Sequence, residues 1–206
     1  MKTNPSSSPS GRRPTGPRVP GRKYGKLIKS GCIAAAVAAA IFALLYYTGA
    51  FLPRYTVWHE TTIDKRDEEG LIGPDLVELK NKKVTVYKDG KVIFTSPFNC
   101  RVSNVILADI NGNGVDELLL LNYNLKRFGN VRPFWVKFDP PLWHQHIYIY
   151  EYRRSDGIIK PIWMASDIGM EASDFALYDD KVIRMTDRYG KESDWMWISF
   201  GLRCVD

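Results

Sequence analysis

VSNVILADINGNGVDELLLLNYN, residues 102–124, contains two apolar runs separated by a polar loop that holds two glycines. Apolar runs bounded by Asn, Asp and Gly are typical of strands, and a short polar loop joins strands that lie next to each other. This stretch therefore predicts a strand-loop-strand unit in a β domain.

Further strand patterns lie on both sides of this unit. VTVYKDGKVIF, residues 84–94, alternates around an Asp-Gly turn, which predicts a hairpin. HIYIYEY (146–152) and IIKPIWMAS (158–166) predict a second hairpin around Ser155-Asp156-Gly157. The remaining strand candidates are DFALYDD (174–180), KVIRMTD (181–187) and WMWISFGL (195–202).

Two parts of the chain resemble each other at low resolution. In residues 84–121 and again in residues 147–187, a hairpin is followed by a strand-loop-strand pair. Repeated four-stranded units are typical of blade architectures. We therefore predict a mainly β fold, a small blade-like antiparallel domain with partial propeller-like repeats, placed after one transmembrane helix.

GCIAAAVAAAIFALLYYTGAFL, residues 31–52, contains no charged side chain. As a helix it would be about 33 Å long, enough to cross a hydrocarbon core of about 30 Å. Residues 1–30 hold eight Lys and Arg and no acid, and are rich in Pro, Gly and Ser, which predicts a disordered tail. Because basic flanks stay in the cytoplasm, we predict a cytoplasmic N-terminus. A charged linker (53–72) then leads to an extracytoplasmic domain (73–206) in a single-pass protein of the cell membrane.

The apolar segment leaves two alternatives open. Thr48, Gly49 and Ala50 are small residues at a suitable position for cleavage of a signal peptide, although the length of the segment and of the tail favours an uncleaved anchor. Ala35, Ala39 and Ala43 recur at four-residue spacing, which lets two membrane helices approach closely. We expect membrane lipid as a partner, with a homodimer through this helix as a further hypothesis.

The net charge of +6 is carried by the tail, whose eight basic residues leave the rest of the chain slightly acidic. A nucleic-acid-binding domain needs basic residues clustered on its folded part, so we predict no nucleic-acid partner. The sequence also contains no nucleophile elbow, no phosphate-binding glycine loop and no His-Glu-x-x-His. We therefore predict that the chain is not an enzyme, while a glycosidase-like pair of carboxylates stays open.

The loop DINGNGVDEL, residues 109–118, resembles the calcium-loop core of FG-GAP and VCBS repeats, the blades of integrin-type propellers. The resemblance implies an extracellular β fold used in adhesion and recognition. It implies calcium ligands at Asp109, Asn111, Asn113, the carbonyl of Val115, and Glu117. This chain has one such loop, and the residues after the linker are too few for a closed propeller of four blades.

The chemistry of the loop is consistent with calcium, which prefers hard oxygen ligands on a tightly turning backbone. Alternating Asp and Asn bring side-chain oxygens together, and Gly112 and Gly114 permit the turn. With few charged ligands, we expect a dissociation constant of about 0.1 to 1 mM. Asp116 either joins the ligands or faces solvent. The alternative is an Asn-Gly turn that needs no metal.

Cys100 and Cys204 are the cysteines that follow the apolar segment. Disulfides persist outside the cytosol, so we predict a bridge between these two residues, with two free, buried thiols as the alternative. A bridge would close a loop of about 105 residues, worth up to ~4–5 kcal/mol.

Residues 133–146 are rich in proline and aromatic side chains, and loops of this length are uncommon unless functional. Trp135, Trp143, His144 and His146 form a candidate ligand surface, although aromatic residues in strands are more often core. The two histidines share a strand face, but zinc needs further ligands. We predict a recognition or scaffolding module with a protein or polysaccharide ligand. The alternative is a cell-envelope glycan-binding domain or enzyme that uses this loop.

Overall fold

The computed structural model describes residues 21–68, 70, 72–128, 132–165 and 168–205. The chain divides into two compact units, Met1–Thr48 and Gly49–Asp206. Within the described residues, the first unit contains one helix and the second contains every strand.

Helix α1 spans Gly21–Thr48, so it begins ten residues before the predicted start and ends before the predicted end at Leu52. Residues 21–30, which we predicted to be disordered, are helical because they lack proline and include the good helix formers Lys, Arg and Leu. The rest of the predicted tail, 1–20, lies outside the described residues. Gly31–Thr48 is long and apolar enough to cross a membrane, and none of it is buried.

The second unit folds into three antiparallel sheets of four strands each, and every sheet follows chain order. The first sheet contains β1 (Thr61–Asp64), β2 (Leu76–Lys80), β3 (Lys83–Lys88) and β4 (Lys91–Thr95). The central sheet contains β5 (Cys100–Ala108), β6 (Glu117–Leu125), β7 (Trp143–Arg153) and β8 (Ile158–Met164). The third sheet contains β9 (Ala172–Asp179), β10 (Val182–Asp187), β11 (Glu192–Ile198) and β12 (Gly201–Cys204). The predicted mainly β fold is confirmed.

Both predicted hairpins are present. Asp89 and Gly90 have positive φ angles of 50° and 71° between β3 and β4, as a two-residue hairpin turn requires. The β7–β8 hairpin turns through Gly157, whose φ is 65°. These turns are local signals, so the sequence was sufficient to predict them.

The central sheet is buried on both faces. Leu118 and Leu120 belong to the core between the first and central sheets, where they meet Val77 of β2. Leu119 and Leu121 point to the opposite face and belong to the core between the central and third sheets. Because successive side chains of a strand alternate between faces, a strand covered on both sides is apolar at every position.

The predicted linker 53–72 is wrong in part, because much of it is integrated into the second unit. Thr61–Asp64 forms β1 and pairs with β2. The backbone N–H of Val57 donates to the carbonyl of Ser173 at 2.9 Å, and that of His59 donates to Ser103 at 2.9 Å. The strand has four residues and lies beside a charged run, so its pattern is too short to identify from sequence.

The antiparallel register separates the two ends of the central sheet. Cys100 pairs with Asn124 at one end of β5 and β6, and Ala108 pairs with Glu117 at the other. Gly49 lies at the Cys100 end, where a Cβ added to it would be 3.5 Å from Cγ of Arg101. We call this the Gly49 end. A nine-residue strand places the opposite end about 27 Å away.

Candidate functional site at the loop between β5 and β6

The loop that joins β5 to β6 lies at the end of the central sheet opposite Gly49. Gly112 and Gly114 have φ angles of 77° and 78°, which only glycine adopts without strain. These two positions let the chain reverse direction within a few residues. The polar side chains of the loop therefore lie close to its own backbone.

The carboxylate of Asp109 organises the backbone of the loop from Gly112 to Gly114. Its Oδ1 accepts the N–H of Gly112 at 2.7 Å and the N–H of Asn113 at 2.9 Å. Its Oδ2 accepts the N–H of Gly114 at 2.8 Å. Three backbone donors thus converge on one charged acceptor, and bonds to charged groups are stronger than neutral ones.

Two asparagines continue the network. Oδ1 of Asn111 accepts the N–H of Asn113 at 2.9 Å, and Oδ1 of Asn113 accepts the N–H of Val115 at 2.8 Å. The amide of Asn111 donates to Oε1 of Glu117 at 2.5 Å. The amide of Asn113 donates to Oε1 of Glu151 at 2.9 Å, which links the loop to β7. The predicted ligand residues are therefore brought together, but by hydrogen bonds with one another and with the backbone.

Glu117 is fully buried where β6 begins. Its Oε2 accepts the N–H of Ile110 at 3.0 Å and, more weakly, that of Asn111 at 3.4 Å. Burial raises the pKa of Glu117 to about 7; the charge of Asp109 adds to this effect, while the backbone donors oppose it. The carboxyl group therefore changes its charge near neutral pH.

Cationic side chains border the loop on two sides. Nζ of Lys65 lies 2.6 Å from Oδ2 of Asp116, so Asp116 is held in an ion pair and does not turn toward the other predicted ligands. A Cβ added to Gly112 would lie 2.5 Å from Nζ of Lys181, so this ammonium group lies directly against the loop. A shallow cavity between them is lined by Asp109, Asp116 and Lys181, among others.

The loop fits calcium in donor type but not in arrangement. Oxygen atoms from Asp109, Asn111, Asn113 and Glu117 are the ligands that calcium prefers. Their side-chain oxygens are directed at N–H groups, and within the described residues no group of three or more His, Cys, Asp or Glu is placed to hold a metal. Hydrogen bonds to backbone N–H groups therefore account for the shape of the loop.

The four residues of the predicted aromatic ligand surface do not form one surface. Trp135 exposes 69% of its area, whereas His146 is fully buried and its Nδ1 lies 2.7 Å from a backbone carbonyl. Trp143 is half-buried beneath the guanidinium of Arg101, 5.7 Å from the ring centroid. His144 is half-buried and, as the next residue of the strand, points to the opposite face from Trp143. His144 and His146 share a face, as predicted.

The predicted bridge between Cys100 and Cys204 is not formed in the structure, where neither residue belongs to a disulfide. Cys100 is buried in the core between the first and central sheets, and its Sγ donates to Oδ1 of Asn122 at 3.0 Å. Cys204 is exposed and belongs to β12 of the third sheet. The two residues belong to different sheets, which a sequence without known strand pairing does not show.

Sequence reasoning missed Lys65, Lys181 and Glu151, which the fold brings to the loop. Lys65 lies in the predicted linker, Lys181 in the turn between β9 and β10, and Glu151 near the end of β7. No local pattern marks these residues, because only the register of the sheets brings them near the loop.

Comparison of this chain with family models, curated proteins and solved structures gave no match.

Proposed function

We propose that the chain is a membrane-anchored extracytoplasmic recognition or scaffolding module, with its N-terminus in the cytoplasm. The observation that supports this proposal is the apolar segment Gly31–Thr48, no part of which is buried, followed at once by a β unit. Eight basic residues precede the segment, which favours retention of that side in the cytoplasm. The likeness of the Asp109 loop to FG-GAP and VCBS repeats supports a role in adhesion.

The proposed function includes weak binding of calcium at the Asp109 loop. Calcium would displace the amide of Asn111 from Glu117 and take oxygen ligands from Asp109, Asn111, Asn113 and Val115. A divalent ion would also relieve the cost of burying the Glu117 carboxylate, whose pKa is raised. Because Lys181 already places a positive charge against Gly112, binding of the ion competes with this ammonium group.

The calcium part is tested on the full chain in detergent by measuring its melting temperature in chelator and in millimolar calcium. We expect calcium to raise the melting temperature, and Lys181→Gln to enlarge the increase. Asp109→Asn should abolish it, while Glu60→Gln, at an exposed acid just before β1, is the control. An identical melting temperature in chelator and calcium, in both the wild type and Lys181→Gln, would remove calcium from the proposal and leave the anchoring untouched.

The proposed partner is a protein or a polysaccharide outside the cell. A polysaccharide is the alternative to a protein, and the exposed ring of Trp135 is the place to test it, because an exposed aromatic face can pack against a ligand. The wild type and Trp135→Ala are each incubated with an insoluble cell-wall fraction. This alternative is supported if the wild type is retained, Trp135→Ala is not, and the two proteins have equal melting temperatures. Equal retention of both proteins would place recognition elsewhere.

The proposed homodimer depends on Ala35, Ala39 and Ala43, which lie at four-residue spacing in α1. Cross-linking of the full chain in membranes tests it. Replacement of Ala39 by Leu should reduce the dimer, and a matched replacement of Ala38 should leave it unchanged.

A further inference from the structure

We propose that the Gly49 end of the second unit is a membrane-contact surface, whose aromatic side chains enter the interface of an anionic lipid bilayer. This inference rests on the proposed anchoring by α1. It goes further, because it gives the domain an orientation and assigns the aromatic loop to lipid instead of a soluble ligand.

Large apolar side chains are exposed at this end to an unusual degree. Phe98, Phe134, Trp135 and Phe138 each expose between 69% and 94% of their surface. Leu142 is also exposed. Three of the four rings are phenyl groups that offer no hydrogen-bonding atom, so they suit acyl chains better than the hydroxyl groups of a sugar. A cluster of this kind in water is costly unless another surface covers it.

The fold directs these side chains to the same end as Gly49. Phe98 lies two residues before β5, and the described residues of the segment between β6 and β7, 126–128 and 132–142, connect to both strands at that end of the sheet. The N–H of Lys126 donates to the carbonyl of Leu142 at 2.7 Å, which closes the base of the segment. The segment therefore projects from the Gly49 end and not from the end that bears the Asp109 loop.

The segment is also held in shape near its base. The carboxylate of buried Asp139 accepts the N–H of Arg127 at 3.0 Å and that of Phe128 at 3.2 Å. Phe134 and Trp135 meet edge to face with their ring centroids 4.8 Å apart. The rings of Phe134 and Trp135 are thus presented together, as an insertion into a lipid interface requires.

Positive charge surrounds the rings. The basic residues near them are Arg101, Lys126, Arg127, Arg132 and Lys137. Asp139 is the acid of this segment, and its carboxylate already faces backbone donors. Glu60, just before β1, accepts the N–H of Asn81 in the β2–β3 turn at 3.4 Å. Aromatic rings that enter the headgroup layer, with Lys and Arg beside lipid phosphates, are the features of surfaces that lie on anionic membranes.

Chain continuity selects the bilayer as the occupant. Gly49 follows Thr48, the last residue of the candidate membrane helix, by one peptide bond. The headgroup layer extends only about 5 to 8 Å beyond the hydrocarbon core on each side. Any surface beside Gly49 is therefore close to the lipid headgroups if α1 spans the membrane, whereas a soluble partner would have to enter this narrow space.

The test uses the full chain in nanodiscs of phosphatidylcholine and phosphatidylglycerol, with one spin label per protein. Labels are placed by Trp135→Cys or Phe134→Cys, and by Ser155→Cys in the β7–β8 turn at the opposite end. A third label, at Ala38→Cys, reports on the anchor and lies off the proposed dimer face. All variants carry Cys32→Ala and Cys204→Ser, and Cys100 remains because it is buried. Collision rates are measured with oxygen, which concentrates in lipid, and with a water-soluble nickel chelate.

We expect the ratio of oxygen to nickel accessibility at 134 and 135 to exceed that at 155 severalfold. Replacement of Arg132 and Lys137 by Ala should reduce this difference, as should omission of phosphatidylglycerol. The proposal would be overturned if labels at 134 and 135 collide with the nickel chelate as often as the label at 155 does. Shielding from both reagents would also overturn it, since a protein would then cover the surface. An oxygen-poor label at Ala38→Cys, off the proposed dimer face, would instead show that the anchor itself is absent.

Discussion

Asn111 donates its side-chain amide to Oε1 of the fully buried Glu117 across 2.5 Å. The same carboxyl group accepts the backbone N–H of Ile110 through its other oxygen. This buried acid therefore fixes the start of the loop, at Ile110 and Asn111, whereas Asp109 fixes the residues from Gly112 to Gly114. The conformation of the loop depends on these two carboxyl groups, and their replacement tests it.

The free energy of unfolding should fall as the pH rises from about 4.5 to about 7, measured in chelator by denaturant titration of the full chain. The pKa of Glu117 is about 7 in the folded protein against 4.5 ordinarily, so the folded state binds the proton more tightly. That advantage is complete below the lower value and is lost as the pH passes the upper one. At about 1.4 kcal/mol per pKa unit, the loss approaches ~3 kcal/mol.

Glu117→Gln should flatten this pH dependence, because the amide keeps a hydrogen-bond acceptor and carries no titrating proton. Glu68→Gln is the control, since that carboxylate is about half exposed. The interpretation fails if the wild type and Glu117→Gln lose stability equally over this pH range.

Asp109→Ala should lower the free energy of unfolding by ~2–4 kcal/mol, because three backbone N–H groups lose a charged acceptor. Asp180→Ala, an exposed acid in the β9–β10 turn, should change it by less than ~0.5 kcal/mol. Equal stability of Asp109→Ala and the wild type would mean that the loop is not organised by this side chain.

Leu119→Ala and Leu120→Ala should each destabilise the protein by ~2–5 kcal/mol, because the two neighbours are fully buried in different cores. Leu177→Ala, at a residue that is 42% exposed, is the matched control and should cost much less. If either central leucine tolerates alanine as well as Leu177 does, the central sheet is covered on one face only.

Cys204 should react with a maleimide in the folded protein, and Cys100 only after unfolding. Burial raises the pKa of the Cys100 thiol to about 12, so it holds almost no thiolate at neutral pH, whereas Cys204 is exposed. Mass spectrometry of the labelled, unreduced protein distinguishes the two sites. Failure of both thiols to react until a reductant is added would instead establish the predicted disulfide.

The sequence was informative where the determining signal is local. The Asp89-Gly90 turn, the strand pair around the Asp109 loop and the uncharged helix are each encoded within a few neighbouring residues. Even the run Leu118–Leu121 follows this rule, because its lack of polar positions reflects a strand that is covered on both faces.

Features that depend on sheet pairing were not predictable. Lys181 reaches Gly112 only because β9 and β10 pack beside the central sheet, and Lys65 reaches Asp116 only because β1 joins the first sheet. Cys100 looked available for a disulfide, since its burial depends on the first sheet that covers it. The ligand pattern of the loop was visible, but its oxygens turn to backbone N–H groups that sequence spacing does not reveal.

The sidedness of the chain tests the central claim most directly. Right-side-out vesicles that contain the full chain are treated with a membrane-impermeant maleimide, and modification is measured at Cys204 and at a cysteine introduced by Ser10→Cys. We predict that Cys204 is modified in intact vesicles and that the position in the tail is modified only after detergent is added. Modification of the tail in intact vesicles, with Cys204 protected, would contradict a membrane-anchored domain that faces outward.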